Sequence, residues 1–167
     1  MRLYCAVWRH VLIQGGIVAY ILVSGDPGYN ADTTHGLIAA TSDQSTGIRW
    51  YNGSYTTTGA TGTLIGTGLA NTNTIITSQG GTATSYAAGL ARAHTGGGYT
   101  NWYLPSKGEL NKLYLNRTAI GGFANNYYWS STEDDYNLWA WVQDFGSDSQ
   151  FNSSKGNPFY VRAIRAF

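Results

Sequence analysis

The sequence predicts an α+β domain, with two helices set apart from short antiparallel sheets and much irregular loop between them. Three observations predict it. Two β-branched apolar runs come first, GGIVAYILVS and HGLIAATSD. Two helical patterns follow, TATSYAAGLARAH and YLPSKGELNKLYLNR. Short strand-like runs then fill the rest of the chain and end in VRAIRAF.

Gly15 to Ser24 is an apolar run that stops at the turn GDPG, and it reads as a buried first strand. His35 to Asp43 reads as a second strand, placed to pair with the first as a hairpin. Thr, Gly and Asn dominate from Gly47 to Gly80. Irregular structure with room for one short helix is expected there, anchored by Trp50 and Tyr51. From Thr82 to His94, Tyr86, Ala87, Leu90 and Ala91 recur at helical spacing. Thr82 or Thr84 is the candidate cap, and TGGGY the stop. In the second helical pattern Ser106 and Glu109 form an S-x-x-E capping box. Leu110, Leu113 and Tyr114 form its inward stripe. GGFANNYYWSSTE opens the final region, where Asn137–Phe145 and Phe159–Phe167 are the best strands. One domain from Gly15 to Phe167 accounts for all of this. Residues 1–14, MRLYCAVWRHVLIQ, read as a leader or extension whose role the residues leave open.

A chain of 167 residues can bury one substantial core. The net charge is +1 and charged residues are only 11%, which argues against a nucleic-acid partner, since phosphate contacts need a basic face. The single cysteine, Cys5, excludes an intrachain disulfide and a cysteine-based zinc site. No window approaches the roughly 20 apolar residues of a membrane span, so insertion is not expected.

GGIVAYI, HGLIAA, WYLPSKGEL, YWSSTE, AWVQDF and VRAIRAF, in this order, resemble a C-type-lectin-like domain. The closer likeness is to the variable proteins of diversity-generating retroelements in phages, bacteria and archaeal viruses. It spans Gly15 to Phe167, and YWSSTE followed by VRAIRAF is its most specific part. The resemblance implies a compact fold whose termini meet in one sheet, with a ligand surface on the C-terminal strands and loops. It also implies that a reverse transcriptase rewrites this segment by mutating adenines of a template copy. Display on a virion or cell surface, as part of a larger assembly, belongs to the same expectation.

The adenine rule can be checked on the residues themselves. AAC or AAT codons mutated at adenines reach Asn, Asp, Ser, Thr, Ile, Gly, Ala, Val, Tyr, Cys, Phe, Leu, His, Arg and Pro. Between Asp134 and Tyr160 only Trp139, Trp141, Gln143, Gln150 and Lys155 lie outside that set. Trp139 or Trp141, with Gln143, is then scaffold among variable positions. Loops are rich in Asn, Asp, Ser and Gly in any case. That accounts less well for Tyr136, Phe151, Phe159 and Tyr160.

The calcium motifs EPN and WND and the lectin cysteines are missing, so calcium-dependent sugar binding is not implied. Glu133, Asp134, Asp135, Asp144 and Asp148 form no recognisable cation loop, and no metal or cofactor is expected. His10, His35 and His94 stand in separate segments, without a nucleophile–base constellation. A carboxylate-dependent hydrolase, using Glu133 with Asp135 or Asp144 with Asp148, is the weakest alternative.

Binding remains. Aromatic residues give rigid contact area, and Ser, Gly and Asn give adaptable hydrogen bonds. The candidate ligand face is Asp134, Asp135, Tyr136, Asn137, Leu138, Asp144, Ser147, Asp148, Ser149, Phe151, Asn152, Ser153, Asn157 and Phe159. Its partner is expected to be a protein or surface ligand. The scaffold is Trp129, Glu133, Trp141, Arg162 and Arg165. From Phe123 to Phe167, the five acids Glu133, Asp134, Asp135, Asp144 and Asp148 face three bases, Lys155, Arg162 and Arg165, so the face is mildly acidic. Strand alternation sets Arg162 opposite Val161 and Ala163, partly buried and in need of an acid. Glu133 is the expected partner. A fixed-sequence adhesin or carbohydrate-binding module of the same fold is the second reading.

Overall fold

The computed structural model describes residues 12–13, 15–80 and 83–167. The leader up to residue 11 and the cap candidate Thr82 lie outside them. The chain runs β1 (Leu12–Ile13), β2 (Gly16–Ile21), β3 (Gly36–Ala39), β4 (Ser45–Ile48), α1 (Gly68–Gln79), α2 (Ala87–Arg92), α3 (Lys107–Leu115), α4 (Arg117–Ile120), β5 (Tyr127–Glu133), β6 (Trp139–Asp144), β7 (Gln150–Ser154), β8 (Phe159–Val161) and β9 (Ile164–Ala166). No described helix is long and apolar enough to cross a membrane.

β2 and β3 form the expected hairpin, with Ile17 opposite Ala39 and Ile21 opposite Gly36. β9 adds to its far side, so the first sheet has the order β1-β2-β3-β9 and joins both ends of the domain. The second sheet has the order β4-β8-β5-β6-β7. The expected single strand Phe159–Phe167 is therefore two strands. β8 lies between β4 and β5 in the second sheet, and β9 lies in the first. The chain changes sheets at Arg162 and Ala163, where the Ala163 carbonyl accepts from Ala40 N–H.

Two helices join the two read from sequence. α1 is the longer of them, 12 residues, and emerges from the stretch expected to be irregular with room for one short helix. Its buried stripe is Gly68, Asn71, Thr72, Ile75 and Gln79, which has helical spacing but one apolar side chain. Polar contacts do the work that apolar ones would do elsewhere. Asn71 accepts from Gly62 N–H and donates to Gly62 O, at 3.1 and 2.7 Å. Thr72 Oγ1 accepts from Leu104 N–H at 3.1 Å. Gly68 opens the helix because a Cβ there would collide with Glu109 Oε2 and the Ser106 nitrogen. α2 begins only at Ala87, and Tyr86 in extended conformation precedes it, so Thr84 does not cap it.

α3 follows the sequence reading closely. Ser106 caps it, and Glu109 closes the box. Leu110, Leu113 and Tyr114 are buried. Glu109 is itself fully buried and accepts from Ser106 N–H at 2.7 Å and Gly66 N–H at 2.9 Å. Burial pushes its carboxyl above the usual range, against those hydrogen bonds. Ser106→Ala removes the cap and the donor to Leu64 O, and should cost about 1–2 kcal/mol by urea denaturation. An unchanged midpoint would show that the box does not hold the helix start.

Two apolar clusters fill the interior. One gathers Ile38, Trp50, Trp102, Trp129 and Val161 between the sheets and α2. The other gathers Leu37, Tyr103, Leu110, Leu113, Tyr128 and Phe145 beneath α3.

Candidate functional site

β5, β6 and β7 carry most of the C-terminal segment. YWSSTE is buried from Tyr128 to Glu133. Trp129 lies opposite Val142 and Glu133 opposite Ala140, so β5 holds two extra residues in a bulge. The bulge turns Ser130, Ser131 and Thr132 inward and aims Glu133 at the loop 56–59. Ser131 N–H donates to Pro105 O and Glu133 N–H to Ala60 O.

Glu133 pairs with Lys155, not with Arg162. Both side chains of this ion pair are fully buried. The Glu133 carboxylate also accepts from Thr58 N–H and Thr58 Oγ1, at 2.8 and 2.9 Å, and from Gly59 N–H at 2.8 Å. Burial opposes its charge, but Lys155 and these donors outweigh it and hold the carboxyl below its usual range. Lys155 reaches Thr56 O at 3.0 Å and lies 4.6 Å from the centre of the Trp50 ring. Its backbone joins in: Lys155 N–H donates to Leu138 O, and Lys155 O accepts from Trp50 N–H. One residue thus fastens the β7–β8 turn to three other segments. With its oxygens engaged and no exposed surface, Glu133 is placed for structure rather than proton transfer.

Arg162 is buried, as expected, but its partner is Asp43, at 2.6 Å from Nε. Arg162 lies between β8 and β9, and Val161, Ala163 and Ile164 are buried with it, so its burial comes from the crossing between the sheets rather than from alternation. The bulge gave Glu133 to Lys155, and the β3–β4 connection brought Asp43 to Arg162. Arg165 is buried as well, with Nη1 3.4 Å from Asn101 Oδ1 and its guanidinium over the Tyr99 ring.

The expected face wraps around the β6–β7 hairpin. Opposite residues share a face. Trp139, Trp141 and Gln143 therefore lie with Ser154, Asn152 and Gln150, while Ala140 and Val142 lie with Ser153 and Phe151. On the first face, Asn152 Nδ2 donates to Asp134 Oδ2 at 2.6 Å. Tyr136 and Trp139 pack at 5.8 Å, and Lys107 Nζ sits 3.0 Å from the centre of the Trp141 ring. On the second face, Phe151 and Phe159 each approach Tyr127 at 5.3 Å, and Asn157 donates to Ser153 Oγ. At the hairpin turn, Asp144 accepts from Gly146 N–H and Ser147 Oγ, beside Asp148 and Ser149.

Asp135, Tyr136, Asn137, Leu138, Asp148, Ser149, Asn152 and Asn157 are exposed. Asp134, Asp144, Ser147, Phe151, Ser153 and Phe159 are half-buried. The loop 134–138 and the turn 145–149 occupy opposite ends of β6, about 20 Å apart at 3.4 Å per residue. A ligand smaller than this would meet one group or the other.

Sequence reasoning missed two residues here. Tyr55 stacks on Tyr51 at 4.6 Å and reaches Ser154 Oγ at 3.2 Å, so it borders Trp139 from outside the C-terminal segment. Lys155 is the other, and it did carry a signal, being outside the adenine-reachable set. Of the histidines, His35 Nδ1 lies 3.2 Å from Phe167 O, and His94 packs against Trp102. Among the described residues no group of three His, Cys, Asp or Glu could hold a metal ion.

Two small sheets, peripheral helices and a loop-rich C-terminal hairpin make this a C-type-lectin-like binding domain. The chain belongs to the Lcl C-terminal domain family, whose model matches residues 39–165. No curated protein matches the chain.

Proposed function

We propose that this chain is a non-catalytic ligand-binding domain whose specificity lies on the surface around the β6–β7 hairpin. The side chains there vary by adenine-directed mutagenesis of a template copy, and the domain is displayed on a virion or cell surface. One observation carries this reading. Within a single segment, side chains separate into an exposed set and a buried frame. Asp135, Tyr136, Asn137, Leu138, Asp148, Ser149 and Asn152 face solvent, while Gln143, Lys155 and Arg162 are buried. Such a surface can change without rebuilding the core.

Tyr136→Ala, Asn137→Ala and Asp148→Ala should therefore each shift stability by about 0.5 kcal/mol or less. Losses of several kcal/mol at two of these positions would show that the loops belong to the fold. The diversification itself is tested by sequencing the DNA around the gene. A near-copy of the segment encoding about 125–167, beside a reverse transcriptase, with mismatches at template adenines and over the exposed positions, is the expected result. No such copy would make this a fixed adhesin face.

A further inference from the structure

β7 is the outer strand of the second sheet. Asp144 N–H donates to Ser149 O, and Lys155 N–H donates to Leu138 O. In an antiparallel ladder the bonded residues alternate. Phe151 and Ser153 therefore turn their backbones toward β6, and Gln150, Asn152 and Ser154 turn theirs outward. The Ser154 carbonyl accepts from Asn157 N–H. The N–H and C=O of Gln150 and Asn152, and the N–H of Ser154, meet no partner among the described residues.

Natural sheets blunt such edges with bulges, proline or lysine, or by covering them. The other edges here are managed. β1 is two residues long, β4 pairs with β8 through an irregular register, and Tyr103 bridges Ile164 on β9. β7 pairs with β6 over five successive residues without a bulge, and its sequence QFNSS contains neither proline nor lysine.

The charge around this edge is more one-sided than the sequence count implies. Lys155, Arg162 and Arg165 are all buried, so the three bases of the segment drop out of its surface. Asp134 and Asp135 remain at one end of the hairpin, and Asp144 and Asp148 at the other. Lys107, the neighbouring half-buried base, is held against Trp141 and offsets part of the charge of Asp134, which leaves the other three carboxylates in excess.

We propose that β7 is a docking edge for an extended, basic segment of a partner protein, which joins the sheet as a sixth strand. The backbone supplies hydrogen bonds and the flanking carboxylates supply the charge preference. A second copy of the chain fits poorly, because antiparallel pairing centred on Asn152 would bring two like-charged sets of carboxylates together. The inference rests on the reading of this region as a binding surface and adds a sequence-independent component to it. Backbone hydrogen bonds persist whatever side chains, proline's excepted, positions 134–160 carry.

The test uses random nonapeptides displayed on phage, selected against the folded chain, with the winning peptide then synthesised. Selected peptides should be rich in Lys and Arg, and their affinity should fall with added salt. Asn152→Pro removes an outward N–H and no ladder bond, so it should weaken peptide binding roughly tenfold or more beyond whatever loss Asn152→Ala shows by removing the side chain alone. In the parent chain, peptide binding should slow amide exchange at Gln150 and Asn152. That measurement decides the matter if the proline variant does not fold. Equal binding by Asn152→Pro and Asn152→Ala, or unprotected amides, would overturn the docking edge. If Tyr136→Ala or Asp135→Asn alone then abolished binding, the wider binding surface would stand without it. A selection that yields no binder, or a dimer that Asn152→Pro dissociates, would also overturn the proposal. The template-copy comparison decides diversification independently.

Discussion

Lys155→Met should lower stability by about 3–5 kcal/mol, because it strands the Glu133 carboxylate in the interior without its cation. Methionine keeps most of the apolar stem and loses the ammonium, which lies 4.6 Å from the centre of the Trp50 ring and donates to Thr56 O, so the loss reports chiefly the charge. For a domain of ordinary stability, about 5–15 kcal/mol, this is a large fraction of the whole. The pH dependence gives the sharper signature. In the parent, Glu133 is held below its usual pKa, so the stability it contributes is present above the ordinary carboxyl range and is lost as pH falls through the folded value. In the variant, burial acts without Lys155 and raises the carboxyl instead. Stability then falls as pH rises through that range. The difference between parent and variant should be widest near neutrality and should narrow in acid. Urea denaturation at several pH values measures it. A loss that is small, or the same at every pH, would mean that the pair contributes little.

The position of Lys155 bears on how such a surface tolerates change. The residue sits among side chains that face solvent, yet its backbone and ammonium reach Leu138, Trp50, Thr56 and Glu133. On the proposed reading, the loops on either side exchange side chains while their path stays fixed from within. Removing that fixture should loosen the 134–138 loop and the 155–158 turn together.

Local signals were legible wherever local physics decides. The S-x-x-E box, the Leu110–Leu113–Tyr114 stripe and the β2–β3 hairpin were all readable, because neighbours in sequence determine them. α1 was not, because its buried stripe is built from Asn71, Thr72 and Gln79, whose partners lie in distant loops. The division of Phe159–Phe167 into two strands was also hidden. A single strand-like run, FYVRAIRAF, does not say that its two halves serve different sheets. On the surface, residue type singled out the segment 134–160. It could not show that alternation along QFNSS sends Asn152 and Phe151 to opposite faces, or which backbone groups remain unpaired. Those facts depend on register, which the bulge in β5 and the turn 145–149 set. Ion-pair partners were the least legible of all. Asp43 lies in a short polar turn, TSDQS, 119 residues before Arg162.

That pairing leads to the second large expected effect. Arg162→Ala should cost about 3 kcal/mol or more and lower the melting temperature. Arg162 stands where the chain leaves β8 and enters β9. Its guanidinium joins Asp43 at 2.6 Å, Ala40 O at 3.0 Å and Gly122 O at 2.6 Å, and lies 4.3 Å from the centre of the Phe123 ring. Asp43 also accepts from the Tyr128 hydroxyl at 2.9 Å. Gly122 reaches its place with φ +70, a conformation other residues rarely adopt. Truncation takes the Arg162 donor from the carbonyl of buried Ala40, from the Gly122 carbonyl and from one of the two Asp43 oxygens, at the junction of both sheets. Arg162→Lys should rescue little, since one ammonium cannot replace three donors fixed in a plane. Asp43 keeps some contact with solvent, which places the loss toward the lower end of the range for a broken buried pair. A double-mutant cycle identifies the partner. Arg162→Ala with Asp43→Asn should fall well short of the sum of the single losses, with a coupling of about 1 kcal/mol or more. Arg162→Ala with Glu133→Gln should be additive within about 0.5 kcal/mol. Coupling to Glu133 instead would restore the partner expected from the sequence. It would also leave Lys155 without the partner on which its role in holding the 134–138 loop and the 155–158 turn depends.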